Sequence, residues 1–428
     1  MNNRLKALIA LSPVAVLLAV YLLASILAGD FYKIPISVAF VVAAVYGAFL
    51  LKGMKLKERI KLFSTGAANP DIMYMIWIFC FAGIFASTAK AMGAVDVTVA
   101  LTLKAVPAQF LPAGLFVAAC FISMAIGTSV GTIVALAPMV NGLAVQLGSE
   151  QGWLLAVIVG GAFFGDNLSF ISDTTIAATQ TQNCRMSDKF KANFLIVLPA
   201  ALAALCIYLF NSDLSAPVLS QTTVEWYKAL PYLLVIVLAL LGMNVLAVLL
   251  CGIVLTCLMG IICGSFDLVT VFTAAGEGMQ SMTELILVTL LASGLMNIVK
   301  TAGGFDLLIK GLTARISSRK GAEAVIALLT ALTNVCTANN TIAILTTGPI
   351  ARDLSQKFGV EPRKAASLMD TASCFVQGML PYGAQILMAS GIAGINPLAI
   401  IPHLYYPMLI GLMVVLSILF GFPRLKKV

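Results

Sequence analysis

The stretch GDNLSFISDTT, residues 165–175, decides the fold class, because it sets two carboxylates and several hydroxyls between apolar runs. An apolar run over residues 154–164 precedes it, and an Ile-Ala-Ala run follows it. Carboxylates near the centre of a membrane span are too costly to face lipid, so they must face a cavity, a partner or an ion. The stretch therefore predicts a membrane helix that is broken where its backbone lines a cavity.

The composition of the whole chain also indicates a membrane protein. Of its 428 residues, 61% are hydrophobic and 10% are charged, whereas soluble domains carry about 25% charged residues. Apolar runs near the length of a spanning helix recur from end to end. This composition excludes soluble enzymes and nucleic-acid binders. The net charge of +8 comes from short Lys and Arg clusters between apolar runs, which report membrane topology rather than a nucleic-acid partner.

The side chains that bind zinc or haem are sparse. The nine cysteines are scattered singly and the one histidine is His403, so we expect no cofactor and assign His403 no role. At the N-terminus, Arg4 and Lys6 precede an apolar run to Ala28 that is longer than the core of a signal peptide. We expect this run to be the first spanning helix.

The basic clusters predict a topology with about ten transmembrane helices. Residues 94–109 and 304–316 are expected not to cross, while 111–147 and 322–351 are expected to form re-entrant hairpins. Every basic cluster then lies on the cytoplasmic side, with a few single residues left outside. The expected location is the inner (cytoplasmic) membrane, with multiple passes and both termini cytoplasmic.

An internal repeat appears when the chain is shifted by 210 residues against itself. We predict two transmembrane repeats, residues 1–214 and 215–428, whose broken helices are 152–180 and 365–394. Five crossings in each repeat would invert the second copy, which is the plan of many secondary transporters. The same shift aligns three pairs of stretches: 90–96 with 300–306, 127–131 with 337–341, and 165–175 with 375–385.

The predicted cation and proton site lies in the first repeat, with sodium as the metal ion at Asp166 and Asp173. Carboxylate, amide and hydroxyl oxygens suit a hard cation such as sodium. Two alternatives stay open: a polar loop between two helices, and structural salt bridges from the carboxylates to Lys90 or Lys300. The predicted site residues are Asp166, Asp173, Asn167, Ser169, Ser172, Thr174, Thr128 and Ser129.

The second repeat supplies amides rather than acids. Asn339, Asn340 and Thr341 at the second hairpin tip, with Gln377 in the second broken helix, are predicted to contact a substrate or ion, because amides in an apolar hairpin need partners. At the first tip, close packing of small residues is an equal alternative to ion binding. Glu284 and Asp370 are isolated charges that would either relay protons or cap a helix at an interface.

These motifs resemble those of a known family. Residues 165–175 are similar to the G-D-x-x-S-P-x-S-D-T-T motif of NhaC-type sodium/proton antiporters, with Phe170 in place of the proline. Residues 127–132, GTSVGT, resemble that family's G-T-S-W-G-T segment, with Val130 in place of the tryptophan. Asn339-Asn340-Thr341 is similar to the S-N-T tips of the wider ion transporter superfamily. The resemblance implies an inverted-repeat carrier in which Asp166 and Asp173 bind cations and protons.

The sequence therefore predicts a secondary active transporter, not an enzyme, that exchanges sodium for protons at a midplane carboxylate site. The main alternative is a sodium- or proton-coupled carrier of an organic anion or amino acid. A membrane hydrolase and a channel are weaker alternatives, because hydrolysis does not explain the repeat and a channel would need much higher flux. The expected partners are sodium, protons and the lipid bilayer, with a small organic solute and a homodimer left open.

Overall fold

Helices form nearly all of the structure, a computed structural model that describes residues 3–28, 35–51, 53–169, 172–211, 225–241, 243–304, 312–313 and 316–423. These residues contain no β-strand. The helices are α1 (Asn3–Leu27), α2 (Ile36–Leu50), α3 (Leu56–Ala67), α4 (Pro70–Met92), α5 (Ala94–Ala105), α6 (Leu111–Ile126), α7 (Ser129–Gln146), α8 (Gln151–Leu168), α9 (Asp173–Gln182), α10 (Met186–Phe210), α11 (Leu230–Leu240), α12 (Val245–Ile262), α13 (Leu268–Ser281), α14 (Thr283–Thr301), α15 (Arg319–Thr337), α16 (Asn340–Phe358), α17 (Pro362–Met379), α18 (Ala384–Ala393) and α19 (Tyr405–Phe420).

The helices confirm the predicted all-α polytopic membrane fold. Within the described residues, seven helical segments are long and apolar enough to cross a membrane, and a bent pair beginning at Pro362 makes an eighth. Two of the seven, Ala108–Ala125 and Ser129–Gln146, are the arms of the first predicted hairpin, so ten crossings need the other six segments and the four shorter apolar helices. These are Ile9–Tyr21, Ile36–Leu50, Trp226–Leu238 and Tyr405–Phe420.

Two helical hairpins form where the sequence predicts them, at 111–147 and 322–351. The first turns at Gly127, whose φ of +77° is the left-handed conformation that glycine adopts readily. The second turns at Ala338, with φ of +49°, which is strained for a residue with a Cβ. The side chain of Asn339 caps the following helix by accepting a hydrogen bond from the Ile342 N–H at 3.0 Å.

Two broken helices follow the hairpins. In the first, α8 ends at Leu168 and α9 begins at Asp173, with Ser172 accepting a hydrogen bond from the Thr175 N–H at 3.2 Å. In the second, α17 ends at Met379 and α18 begins at Ala384. The two breaks correspond within one residue under the shift of 210 found in the sequence. The helix ends at both breaks thus lie inside the two stretches predicted as broken helices, 152–180 and 365–394.

Some sequence predictions lie partly or wholly outside the described residues. The boundary between the predicted repeats, 214/215, is one of these, as are Phe170, Ile171 and most of the predicted non-crossing segment 304–316. The other segment expected not to cross, 94–109, contains the separate helix α5.

Close helix packing places α8 in the interior of the bundle. α8 is buried along most of its length and packs against α6 on one side and α7 on another. Gly161 allows α6 to approach, because a Cβ at this position would lie 2.6 Å from the Ala119 Cβ. The C-terminal end of α8, which carries Asp166, therefore lies deep inside the protein.

Replacing Gly161 by alanine should destabilise the bundle by about 1–3 kcal/mol, because the added methyl overpacks the contact between α6 and α8. The measurement is the thermal unfolding midpoint of the purified protein in detergent. Gly114→Ala on α6 is the control, because a Cβ there meets nothing within 4 Å. Equal midpoints for the two variants would contradict the close contact.

Candidate functional site

A cavity of about 470 Å³ lies where the hairpin tips and the broken helices meet. It brings together residues far apart in the sequence, from both predicted repeats. Tyr74, Met75 and Ile78 of α4 also line it. The predicted site residues on its wall are Thr128, Ser129, Asp166, Asp173, Thr174, Asn339, Asn340, Thr341 and Gln377.

Asp166 is bound to the first hairpin tip. Its side chain is buried, yet one of its carboxylate oxygens accepts a hydrogen bond from the Ser129 N–H at 2.9 Å and the other accepts one from the Ser129 hydroxyl. Ser129 is the first residue of α7, so the positive end of that helix faces the carboxylate. Both carboxylate oxygens are therefore held by donors that favour negative charge.

Asp173 occupies a different environment on the same cavity wall. It is the first residue of α9 and its side chain is exposed. The neighbouring residues Ser172 and Thr174 bind the backbone, because their hydroxyls donate to the Asp166 carbonyl at 2.8 and 3.2 Å. The break thus satisfies the carbonyl that the end of α8 leaves without a helical partner.

Asn167 and Ser169 are directed away from the cavity wall. The Asn167 amide donates to the Phe163 carbonyl at 2.9 Å and to the Tyr406 hydroxyl at 3.1 Å. The Ser169 hydroxyl donates to the Met124 carbonyl at 3.0 Å, which joins the break to the first hairpin. In this conformation these polar groups hold helices together and do not line the cavity with Asp166.

A chain of hydrogen bonds connects the two repeats through Gln385, a residue that the sequence analysis missed. Its amide donates to the Ser129 hydroxyl at 2.9 Å, and its carbonyl accepts from Gln377 at 2.9 Å. Gln377 also donates to the Ala338 carbonyl at 3.0 Å. These hydrogen bonds link Asp166 to the second hairpin tip. The signal that could have found Gln385 is that the shift of 210 residues aligns it with Thr175.

A buried ion pair lies at the break but outside the cavity that contains Asp166. The Lys189 ammonium is 2.7 Å from Asp370 Oδ2, and the two side chains are 1% and 0% exposed. Asn193 donates to the same carboxylate oxygen at 2.7 Å. Lys189 belongs to one of the basic clusters expected on the cytoplasmic side, and neither Lys189 nor Asn193 was predicted to be a site residue. The sequence signal that could have found them is the spacing of four residues between Lys189 and Asn193 at the start of an apolar helix.

Glu284 caps a helix, the second of the two roles considered for it. Its carboxylate accepts hydrogen bonds from the Ser37 N–H at 3.1 Å and the Ser37 hydroxyl at 3.0 Å, at the start of α2. It lines a second cavity of about 730 Å³, together with Glu150, whose carboxylate lies 3.3 Å from the His403 Nε2. This cavity is separate from the one that contains Asp166.

The chain is similar to several known transporters. The sequence pattern of the Na⁺/H⁺ antiporter family matches residues 4–212 and again residues 214–422. The chain is 23% identical over 424 residues to the Na(+)/H(+) antiporter NhaC of Alkalihalophilus pseudofirmus, covering 91% of this chain and 89% of that protein. It is 20% identical to the Malate-2H(+)/Na(+)-lactate antiporter of Bacillus subtilis, covering 88% and 87%. The solved YdaH transporter of Alcanivorax borkumensis is similar with a TM-score of 0.42 and 15% identity, covering 87% and 91%.

Removing the charge of Asp370 with Asp370→Asn should destabilise the protein by about 3–5 kcal/mol, because Lys189 would remain as a buried charge without its counterion. Thermal unfolding in detergent measures the loss. Glu225→Gln is the control, because Glu225 pairs with Lys228 at the surface, where such pairs contribute little. A loss for Asp370→Asn no larger than that of the control would contradict the buried pair.

Proposed function

The chain belongs to the Na⁺/H⁺ antiporter family, and we propose that it exchanges sodium for protons at the cavity between its hairpin tips. Membership of this family indicates a multi-pass membrane transporter rather than an enzyme. The observation that carries the proposal is the convergence of Asp166, Asp173 and both tips on one cavity.

The proposed site combines the oxygen types that sodium prefers. Asp166 and Asp173 provide carboxylates, while Thr128 and Ser129 provide hydroxyl and backbone oxygens at the tip. Asn167, Ser169 and Ser172 would contribute only after the break rearranges, because their side chains now bind other groups. Within the described residues, no group of three or more His, Cys, Asp or Glu could hold a metal ion, so these neutral oxygens are needed.

Competition between the two ions would couple their movements. A buried carboxylate is stabilised either by a proton or by a nearby cation, and two carboxylates in one cavity do not readily both stay charged. Sodium entering the cavity would therefore displace a proton from the pair formed by Asp166 and Asp173. The Ser129 hydroxyl would then release the Asp166 carboxylate and bind the sodium ion instead.

Two separate cavities support an alternating-access mechanism. The cavity with Asp166 extends along α9 to Gln180 and along α16 to Leu345. These helices lead toward the basic residues after Gln182, so we propose that this cavity faces the cytoplasm and that both termini lie on that side of the inner membrane. The cavity with Glu150 and Glu284 would face the opposite side. Rocking of the hairpins and broken helices would alternate access.

Asp173→Asn and Asp166→Asn should each abolish sodium-driven proton movement, because the site then loses a carboxylate that both ions require. Purified protein in liposomes with an internal pH dye provides the measurement when sodium is added outside. Asp353→Asn is the matched control, since Asp353 is an exposed carboxylate away from this cavity. Normal exchange by both site variants would overturn the proposal. Loss of the variant proteins from the membrane would instead indicate a structural role.

A second candidate function is coupled transport of an organic anion. The cavity volume of about 470 Å³ favours it, because a water molecule occupies only about 30 Å³ and a bare sodium ion would leave most of the space to other occupants. The tip residues Asn340 and Thr341 lie on this wall and would contact a carboxylate. The name of the relative from Bacillus subtilis includes malate and lactate.

Uptake of radiolabelled malate and lactate separates the two candidates. If the protein carries an organic anion, Asn340→Ala should reduce uptake at least tenfold while sodium-driven proton movement persists. Asn211→Ala, at the exposed end of α10, is the control. The second candidate is excluded if wild-type liposomes take up neither acid while sodium still moves protons.

A further inference from the structure

The ammonium of the buried Lys189 has three oxygen partners. It donates to the Asn167 carbonyl at 2.8 Å and to the Thr175 hydroxyl at 2.7 Å, and it lies 2.7 Å from the Asp370 carboxylate. A lysine ammonium has three donors, so each donor meets one oxygen. These oxygens come from α8, α9 and α17, and the lysine itself comes from α10.

The three oxygens are of the kinds that bind a hard cation. A backbone carbonyl, a hydroxyl and a carboxylate are typical ligands of such ions in proteins. The Asn167 carbonyl also belongs to the last turn of α8, where the helix dipole favours positive charge. A simple salt bridge would need only Asp370, whereas here two further oxygens from both sides of the break converge on the same nitrogen.

Additional contacts indicate that this position is built around a cation. Asn193 donates to both the Asn167 carbonyl at 2.9 Å and the Asp370 Oδ2. The other oxygen of Asp370, Oδ1, is buried and accepts no hydrogen bond within the part of the chain that the structure describes. Asp370 thus directs the oxygen that Asn193 binds to the ammonium as well.

The position of Lys189 is distinct from the proposed transport site. Asp166 directs its carboxylate to Ser129, while the next residue, Asn167, directs its carbonyl to Lys189. The transport cavity is lined by neither Lys189 nor Asp370. The Asp166 carboxylate and the Asn167 carbonyl therefore face different positions at the break, and Lys189 fills the second of them.

We propose that Lys189 is a tethered cation that permanently fills a second cation position at this break, so that only one sodium ion binds per chain, at Asp166 and Asp173. The number of sodium ions rests on the proposed function, whereas the cation position at Lys189 does not. Lys189 is thus a positioning residue: it fixes both ends of the break in the first repeat to Asp370 of the second.

Chemical rescue tests the cation position directly. Lys189→Ala should lower the thermal unfolding midpoint in detergent, and methylammonium should raise it again in a saturable way, by about 5 °C at high concentration. The rescue should be absent from the wild type, and from the double variant Lys189→Ala/Asp370→Asn, which lacks the anionic ligand. Lys191→Ala is the matched control, because Lys191 is exposed two residues further along the same helix.

The thermal midpoints with methylammonium and with choline distinguish a cation position from a packing role. Rescue by methylammonium but not by the larger choline ion supports a cation position, whereas a mere packing role would give no rescue by either ion. No rescue, or equal rescue of the double variant, overturns the proposal. Should Lys189→Ala fail to accumulate, binding of radiolabelled sodium to the wild type still decides: about one ion per chain supports the proposal, and two overturn it.

The unfolding measurement does not depend on transport, so the two proposals fail separately. If wild-type liposomes show no sodium-driven proton movement while methylammonium rescues Lys189→Ala, the tethered cation stands and the exchange function falls. If exchange is present and rescue is absent, the exchange function stands and the tethered cation falls.

Discussion

The break at the end of α8 is the constraint on which the structure depends, because Asp166 must satisfy both its carbonyl and its carboxylate inside the bundle. The carbonyl accepts from Ser172 and Thr174 across the break. The carboxylate accepts from Ser129 at the first hairpin tip. A polar group buried without such partners would cost several kcal/mol. The hairpin, the broken helix and the cavity are therefore one interdependent arrangement.

The two repeats use the same backbone plan for different chemistry. Both contain a hairpin followed by a broken helix, and their breaks correspond along the sequence. The first places Asp166 and Asp173 on the cavity wall, whereas the second places amides there. Asp370, in the broken helix of the second repeat, is buried against Lys189. Gln385 joins the halves by binding both Ser129 and Gln377. A movement of either broken helix would thus reach the other half through these hydrogen bonds and through the helix packing between the halves.

The sequence predicted the breaks well because their causes are local. Glycine at the first tip and the charged, hydroxylated stretch 165–175 interrupt apolar helices, so the first hairpin and the first broken helix could be located, and the shift of 210 residues located the second pair. Lys189 and Gln385 could not be found in this way, because their partners are distant in sequence. Lys189 also lies among basic residues that indicate topology, and only the fold distinguishes it from exposed Lys191.

Competition between sodium and protons at one site is the central claim, and the dependence of exchange on sodium concentration at several pH values tests it most directly. If Asp166 and Asp173 form one shared site, the apparent KM for sodium should rise by up to about tenfold for each unit decrease in pH, because proton concentration rises tenfold. The maximal rate should stay nearly constant. An apparent KM that is independent of pH, with a falling maximal rate, would show that the ions bind separately and would contradict the account.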